Sequence, residues 1–235
     1  MSIIVISDLH LGSYNINIPE LKTLLKHVLS SPDIHTLIIA GDMYDSLSCN
    51  PYCVCSSEPH SDIVEMLNRV RLKKQLIVIK GNHDPQALPK PFNNVLYKDH
   101  LEIIYANGTK VFIMHGDVYD NFLYDHPVLT SVADFIYTCV QLVSKGVAGY
   151  IKNLSKAYTK NCSQVREKAI KDVLLYGDTT SHAYVICGHT HKAEQHTQDN
   201  ITYINCGCWT DKINTYVRID NYGKATLHEL WEVPL

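Results

Sequence analysis

The sequence lacks any apolar run approaching the length needed to span a membrane. It also lacks an excess of positive charge: 21 lysines and arginines stand against 24 aspartates and glutamates, a net charge of −3 with histidine neutral. Nothing in that balance attracts a polyanion at long range, so nucleic acid is not an expected partner. The first residues do not read as a secretion leader. Asp8 and His10 interrupt the only apolar run there, and no positive charge precedes it. The expectation is a cytoplasmic protein, with the inner face of a membrane as the one surface it could touch. In such a compartment the 8 cysteines are expected as thiols rather than disulfides. Three of them, Cys49, Cys53 and Cys55, sit close together in "CNPYCVC". Their spacing is not that of a zinc knuckle, and a fourth ligand would be needed, so a loop carrying incidental thiols is the expected reading.

What is present is an ordinary globular composition, 46% hydrophobic and 19% charged over 235 residues, enough for one sizeable domain. Residues 2–6, 36–40 and 76–79 are short, almost wholly apolar runs. Between them, residues 19–31 carry Leu21, Leu24, Leu25 and Val28 on one helical face, with Pro19 in the first turn. Residues 60–71 repeat the pattern with Ile63, Val64, Leu67 and Val70. This is β-α-β-α-β, with strands buried on both faces by crossover helices. Further on, an Asn107–Gly108 turn pairs strand 101–105 with strand 110–114. Residues 128–176 read as mainly helical, and strands return at 184–187, 201–205, 213–219 and 224–231. The expected fold is α/β, a single domain over residues 1–235 in which helices cover the sheets.

Five apolar strands run straight into ionisable clusters. These are Asp8-x-His10, Gly41-Asp42-x-x-Asp45, Gly81-Asn82-His83-Asp84, His115-Gly116-Asp117 and Gly188-His189-Thr190-His191. In α/β folds, ligands bind beyond the carboxyl ends of strands, so five such endings imply one centre. Carboxylate, imidazole and amide oxygen are the donors that divalent metals take. Two such ions a few ångströms apart can clamp a displacement at phosphorus. Taken singly, the aspartates could cap helices, Asn82 could serve a turn, and the histidines could pack in a core. Asp45 and Asp117 read as readily as local polar residues as they do as supports of a site or substrate contacts.

As a set, the order D-x-H, G-D-x-x-D, G-N-H-D, H-G, G-H-x-H resembles the calcineurin-like metallophosphoesterases. That resemblance implies a sandwich of two mixed β-sheets flanked by helices. It implies two divalent metals, manganese first, with iron and zinc as alternatives. Asp8, His10, Asp42 and His191 would hold one ion; Asn82, His115 and His189 would hold the other; Asp42 would bridge. A metal-bridging hydroxide would attack phosphorus, with His83 at the substrate and Asp84 as its orienting partner. "DLHLG" (8–12), "HGDVYD" (115–120) and "VICGHTHKAE…ITYINCGCW" (185–209) further resemble the branch that contains the UDP-2,3-diacylglucosamine pyrophosphatases. That branch has a helical insertion between H-G and G-H-x-H, here about 120–182. It differs in having arginine where this chain has His83. Residues 128–151 are highly apolar, with only Asp134 and Lys145 as charges. They read as core filler, as a cover for an acyl chain, or as a peripheral membrane contact. The expected function is hydrolysis of a phosphoester or pyrophosphate in a small molecule, with a lipid-linked nucleotide–sugar pyrophosphatase as the alternative. A metal-binding scaffold without activity is disfavoured, because the full ligand set is present.

Overall fold

The computed structural model describes residues 2–46, 49–120, 162–176 and 182–232. Strands β1 (Ser2–Ile6), β2 (Ile34–Ala40), β3 (Gln75–Ile79) and β4 (Leu96–Lys98) run parallel in one sheet. Strands β10 (Thr215–Ile219) and β11 (Ala225–Glu229) add antiparallel to its other side, giving the order β11-β10-β1-β2-β3-β4. The second sheet takes β5 (His100–Ile104), β6 (Lys110–Met114), β7 (Ala183–Cys187), β8 (Glu194–Gln198) and β9 (Ile201–Asn205), in the order β5-β6-β7-β9-β8. Both sheets mix parallel and antiparallel pairs.

The apolar residues explain the layering. Ile4 and Ile6 of β1, Leu37 and Ile39 of β2, and Leu76 and Val78 of β3 face one way. They pack under helices α1 (Ile18–Ser30) and α3 (His60–Lys73) through Leu21, Leu24, Leu25, Ile63 and Leu67. The alternate residues Val5, Ile38, Ala40, Ile77 and Ile79 face the other sheet, against Val111, Ile113, Ile186 and Ile204. The far face of the second sheet carries Val185, Cys187 and Tyr203 under helix α4 (Cys162–Tyr176), which supplies Val165, Ala169 and Ile170. The order is helix, sheet, sheet, helix. A strand buried on both faces needs apolar residues at every position, which is why β1 to β3 read as unbroken runs.

Two strands carry no such signal. In β8 (Glu194–Gln198, EQHTQ) almost every residue is exposed at the sheet edge, and β4 is three residues long. The cysteine loop holds a short helix, α2 (Pro51–Val54). Cys49 packs on Gly12, and Cys55 Sγ lies 3.5 Å from the Tyr44 hydroxyl. No cysteine joins a metal-like cluster among the described residues. Trp209 is fully buried in the core beneath α1. Residues 128–151 lie outside the described residues. Among those described, no helix is long and apolar enough to cross a membrane.

Candidate metal centre

The site forms where β1, β2, β3, β6 and β7 end. Past the strand ends the turns are stitched to one another by backbone bonds, among them Asp8 N to Gly41 O at 3.0 Å, His10 N to Asp42 O at 2.9 Å, and Gly188 N to His115 O at 2.9 Å. Leu9 and Leu11 are driven into the core between the polar residues and anchor the first turn. The backbone is strained where the candidate ligands sit. Among the described residues, the non-glycine positions with positive φ are Asp8 (54°), His10 (48°), Asp42 (53°), His189 (64°), His191 (60°) and one turn residue, Asp199. Each costs on the order of 1–3 kcal/mol, which only a surrounding fold can hold in place. Two glycines admit this crowding. A Cβ on Gly81 would strike the Asp42 carboxylate and backbone N, and one on Gly188 would strike Ser7 Oγ and Asp8 Oδ2.

The first group of donors comes together as expected. Ligand atoms of Asp8, His10, Asp42 and His191 all lie within 4.8 Å of one another. Ser7 Oγ and the His189 N–H both donate to Asp8 Oδ2, which turns Oδ1 toward the cluster. That Oδ1 is buried and receives no aligned hydrogen bond, although His191 Nε2 stands 2.9 Å away and His10 Nε2 3.8 Å. Nitrogen and oxygen atoms crowded this closely without alignment suit a shared cation better than one another. His10 Nε2 is 3.6 Å from Asp42 Oδ2.

Asp42 faces a second group with its other oxygen. His115 Nε2 lies 3.4 Å from Asp42 Oδ1 and 3.2 Å from Asn82 Oδ1. The far nitrogen of His115 meets the Ala40 carbonyl at 3.0 Å, which fixes the ring. His189 brings its ring centroid within 5.3 Å of that of His115. Its Nε2 meets Asp120 Oδ2 at 2.9 Å. Asp120, buried at the end of the 117–119 turn, has no role in the sequence reading. Its only signal is its place five residues after His115.

His83 is the most exposed histidine of the cluster, with its side chain 23% exposed and its ring centroid 5.0 Å from that of His10, edge to face. Its orienting carboxylate is not Asp84. Both Asp84 oxygens accept backbone N–H bonds, from Tyr44 at 2.9 Å and Gly81 at 3.0 Å, and so brace the two turns against each other. Asp45 Oδ1 lies 3.2 Å from His83 Nδ1 instead, and Ser46 binds the His83 carbonyl. Among the described residues, His10, Asp45 and His83 form the other group whose ligand atoms converge within 4.8 Å.

Charge follows the geometry. Burial raises the Asp42 carboxyl, but the imidazoles of His115, His83 and His10 outweigh it and hold it well below the usual range. Asp8 is held low in the same way, chiefly by His191. Burial would lower His115, yet Asp42 carries it up to about 10. A buried carboxylate that draws a proton onto the neighbouring His115 is a centre that divalent cations would neutralise instead, displacing that proton. These nitrogen and oxygen donors fit such cations. If His189 holds a metal, Asp120→Ala is expected to weaken manganese binding by about 10–100-fold, since a carboxylate behind a ligating histidine fixes its tautomer and orientation. Calorimetric titration checks this; an unchanged affinity would leave the pair a packing contact.

Comparison with known proteins agrees with this geometry. The family described as calcineurin-like phosphoesterase matches residues 1–193. UDP-2,3-diacylglucosamine hydrolases of Shewanella sp. (strain W3-18-1) and Shewanella putrefaciens are each 28% identical to the chain, covering 85% of it and 85% of their own length. Wild-type Vps29 from Entamoeba histolytica, in its zinc complex, shares the fold with a TM-score of 0.51 at 15% identity, over 98% of this chain and 99% of that one. With the family match covering most of its length, and with Asp8, His10, Asp42 and His191 converging as candidate metal donors, the chain belongs to the calcineurin-like phosphoesterases.

Proposed function

We propose that the chain hydrolyses a phosphate ester or pyrophosphate bond in a small molecule, using two manganese ions; iron and zinc also suit its donors. The observation that carries this reading is the placement of Asp42, with Oδ2 toward His10 and Oδ1 toward His115. Asp8, His10 and His191 share the first oxygen's side, and Asn82, His115 and His189 the second's. When bound, the ions would supply positive charge for the phosphoryl oxygens and acidify water between them. The protein's part is to fix Asp42 between two donor groups and exclude bulk water from their inner side. With Asp45 Oδ1 3.2 Å from its Nδ1, an imidazolium at His83, on the open side, would donate from Nδ1 to Asp45 and carry its other proton at Nε2. In that state the ring is positioned to hydrogen-bond the phosphoryl group and protonate the leaving oxygen. His83→Ala is expected to keep metal content unchanged and lower kcat by about 10²–10⁴-fold, the worth of a positioned acid–base group. Elemental analysis beside a manganese-supported hydrolysis assay reads both. Metal loss in His83→Ala would make the residue a ligand instead.

A second reading, a lipid-linked nucleotide–sugar pyrophosphatase, is supported by the 28% identity to UDP-2,3-diacylglucosamine hydrolases over 85% of both chains. On this reading Leu129, Val132, Phe135, Ile136 and Val140, which lie outside the described residues, line an acyl pocket. Each methylene buried there adds about 0.8 kcal/mol. An acylated nucleotide–sugar should then be cleaved with far higher kcat/KM than its unacylated counterpart, under detergent-controlled conditions. Equal values would remove the acyl pocket and leave the first reading standing.

A further inference from the structure

The cysteine loop reaches the candidate acid, although none of its thiols joins a metal-like cluster among the described residues. Past β2 the chain delivers two contacts to His83. Asp45 Oδ1 lies 3.2 Å from its Nδ1, and the Ser46 N–H donates to its carbonyl at 3.1 Å. The backbone of Asp45 is held on both sides. Its N–H donates to the Leu11 carbonyl at 3.0 Å. Its own carbonyl accepts from Cys49 twice, from the N–H at 3.0 Å and from the thiol at 3.2 Å. The Asp45 carbonyl and the Ser46 N–H belong to one planar peptide group. Cys49 holds the oxygen of that plane while His83 takes its N–H. Rotation of the plane would break both bonds and swing the Asp45 carboxylate away from the ring.

The sulfur has a fitted place. It fills the notch beside Gly12, where a Cβ would collide with it, and stands 3.8 Å from the Leu11 carbonyl. Leu11 in turn donates its N–H to the Met43 carbonyl at 2.9 Å, so the thiol lies where the β1 and β2 turns meet. Burial, with the Asp45 carboxylate adding to it, pushes the Cys49 thiol up to about 11. It therefore keeps its proton and remains a donor. The other two thiols of the loop face elsewhere. Cys53 is exposed, and Cys55 donates to the Pro51 carbonyl at 3.3 Å within its own short helix.

We propose that Cys49 is a positioning residue for the reaction: its thiol fixes the Asp45–Ser46 peptide, and through it the Asp45 carboxylate and the His83 ring that protonates the leaving oxygen. The inference rests on the phosphoesterase reading above and adds to it a residue that touches neither substrate nor metal donors.

The test is hydrolysis by the manganese-loaded protein of the 4-nitrophenyl and phenyl esters of phosphate and of thymidine 5′-phosphate. 4-Nitrophenolate leaves without a proton, whereas phenolate, with a conjugate acid of pKa about 10 like that of tyrosine, leaves better with one. Cys49→Ala should lower kcat for the phenyl esters about tenfold or more and for the 4-nitrophenyl esters less than about threefold, since misplacing a reacting group by about 1 Å can cost 10²-fold. KM, manganese content and circular dichroism should stay as in the wild type. Cys49→Ser, which keeps a donor, should restore most of the phenyl rate. Cys49→Val, which fills the notch without a donor, should behave as the alanine variant and replaces it if that protein does not fold. In a His83→Ala background, Cys49→Ala should cost nothing further, because residues that act through one another are not additive. An unchanged phenyl rate in Cys49→Ala, equal losses with both leaving groups, a serine variant as slow as the alanine one, or full additivity with His83→Ala would overturn the positioning role. A wild type that hydrolyses none of the four esters would overturn the phosphoesterase reading beneath it, and is seen without any change at Cys49.

Discussion

The structure turns on one buried carboxylate. Asp42 sits one residue past Gly41 at the end of β2, in a left-handed turn, with histidines on both sides of its two oxygens. An anion there is costly unless it is surrounded by positive charge. The rest of the centre supplies what it requires: His10 and His115 face it, the His83 N–H donates to it at 2.9 Å, and Gly81 leaves it room. The strand order follows from the same need. Only with β1, β2 and β3 parallel and adjacent do three polar endings reach one place. Only with the second sheet stacked against the first do His115, His189 and His191 meet them.

Such a centre is expensive to fold. Five strained residues, a buried cluster of like-charged aspartates and glycines with no room for a methyl group all oppose stability. The sandwich offsets this with three apolar layers, so strain concentrated at one edge is carried by a core that spans the rest of the molecule. Functional geometry is thus held by elements that take no part in the chemistry. Leu9 and Leu11 anchor the turn that aims Asp8 and His10, and Asp84 ties the β2 and β3 turns together through Tyr44 and Gly81.

Much of this was legible in the sequence. Unbroken apolar runs announced strands buried on both faces, and glycine with an ionisable cluster after each run announced a shared centre. The first donor group and the facing of Asn82 and His115 emerge at the expected residues. Three features were hidden for physical reasons. Asp84 follows His83 in the chain, yet its carboxylate turns back to the backbone, and the carboxylate beside His83 arrives from Asp45 on the neighbouring β2 turn. Adjacency in sequence says little about side chains in a tight turn. Asp120 reaches His189 across 69 residues, a pairing that no local pattern reveals. The β8 strand is polar at nearly every position because an edge strand at the surface needs no apolar face.

The central claim is that Asp42 is shared by two ions. It is tested most directly by counting manganese bound per folded chain in the wild type, Asn82→Ala and Asp42→Ala. The account predicts about two ions in the wild type, about one in Asn82→Ala and fewer than one in Asp42→Ala, since loss of a bridging ligand empties both positions. An Asp42→Ala protein that is folded and still binds two ions would contradict it.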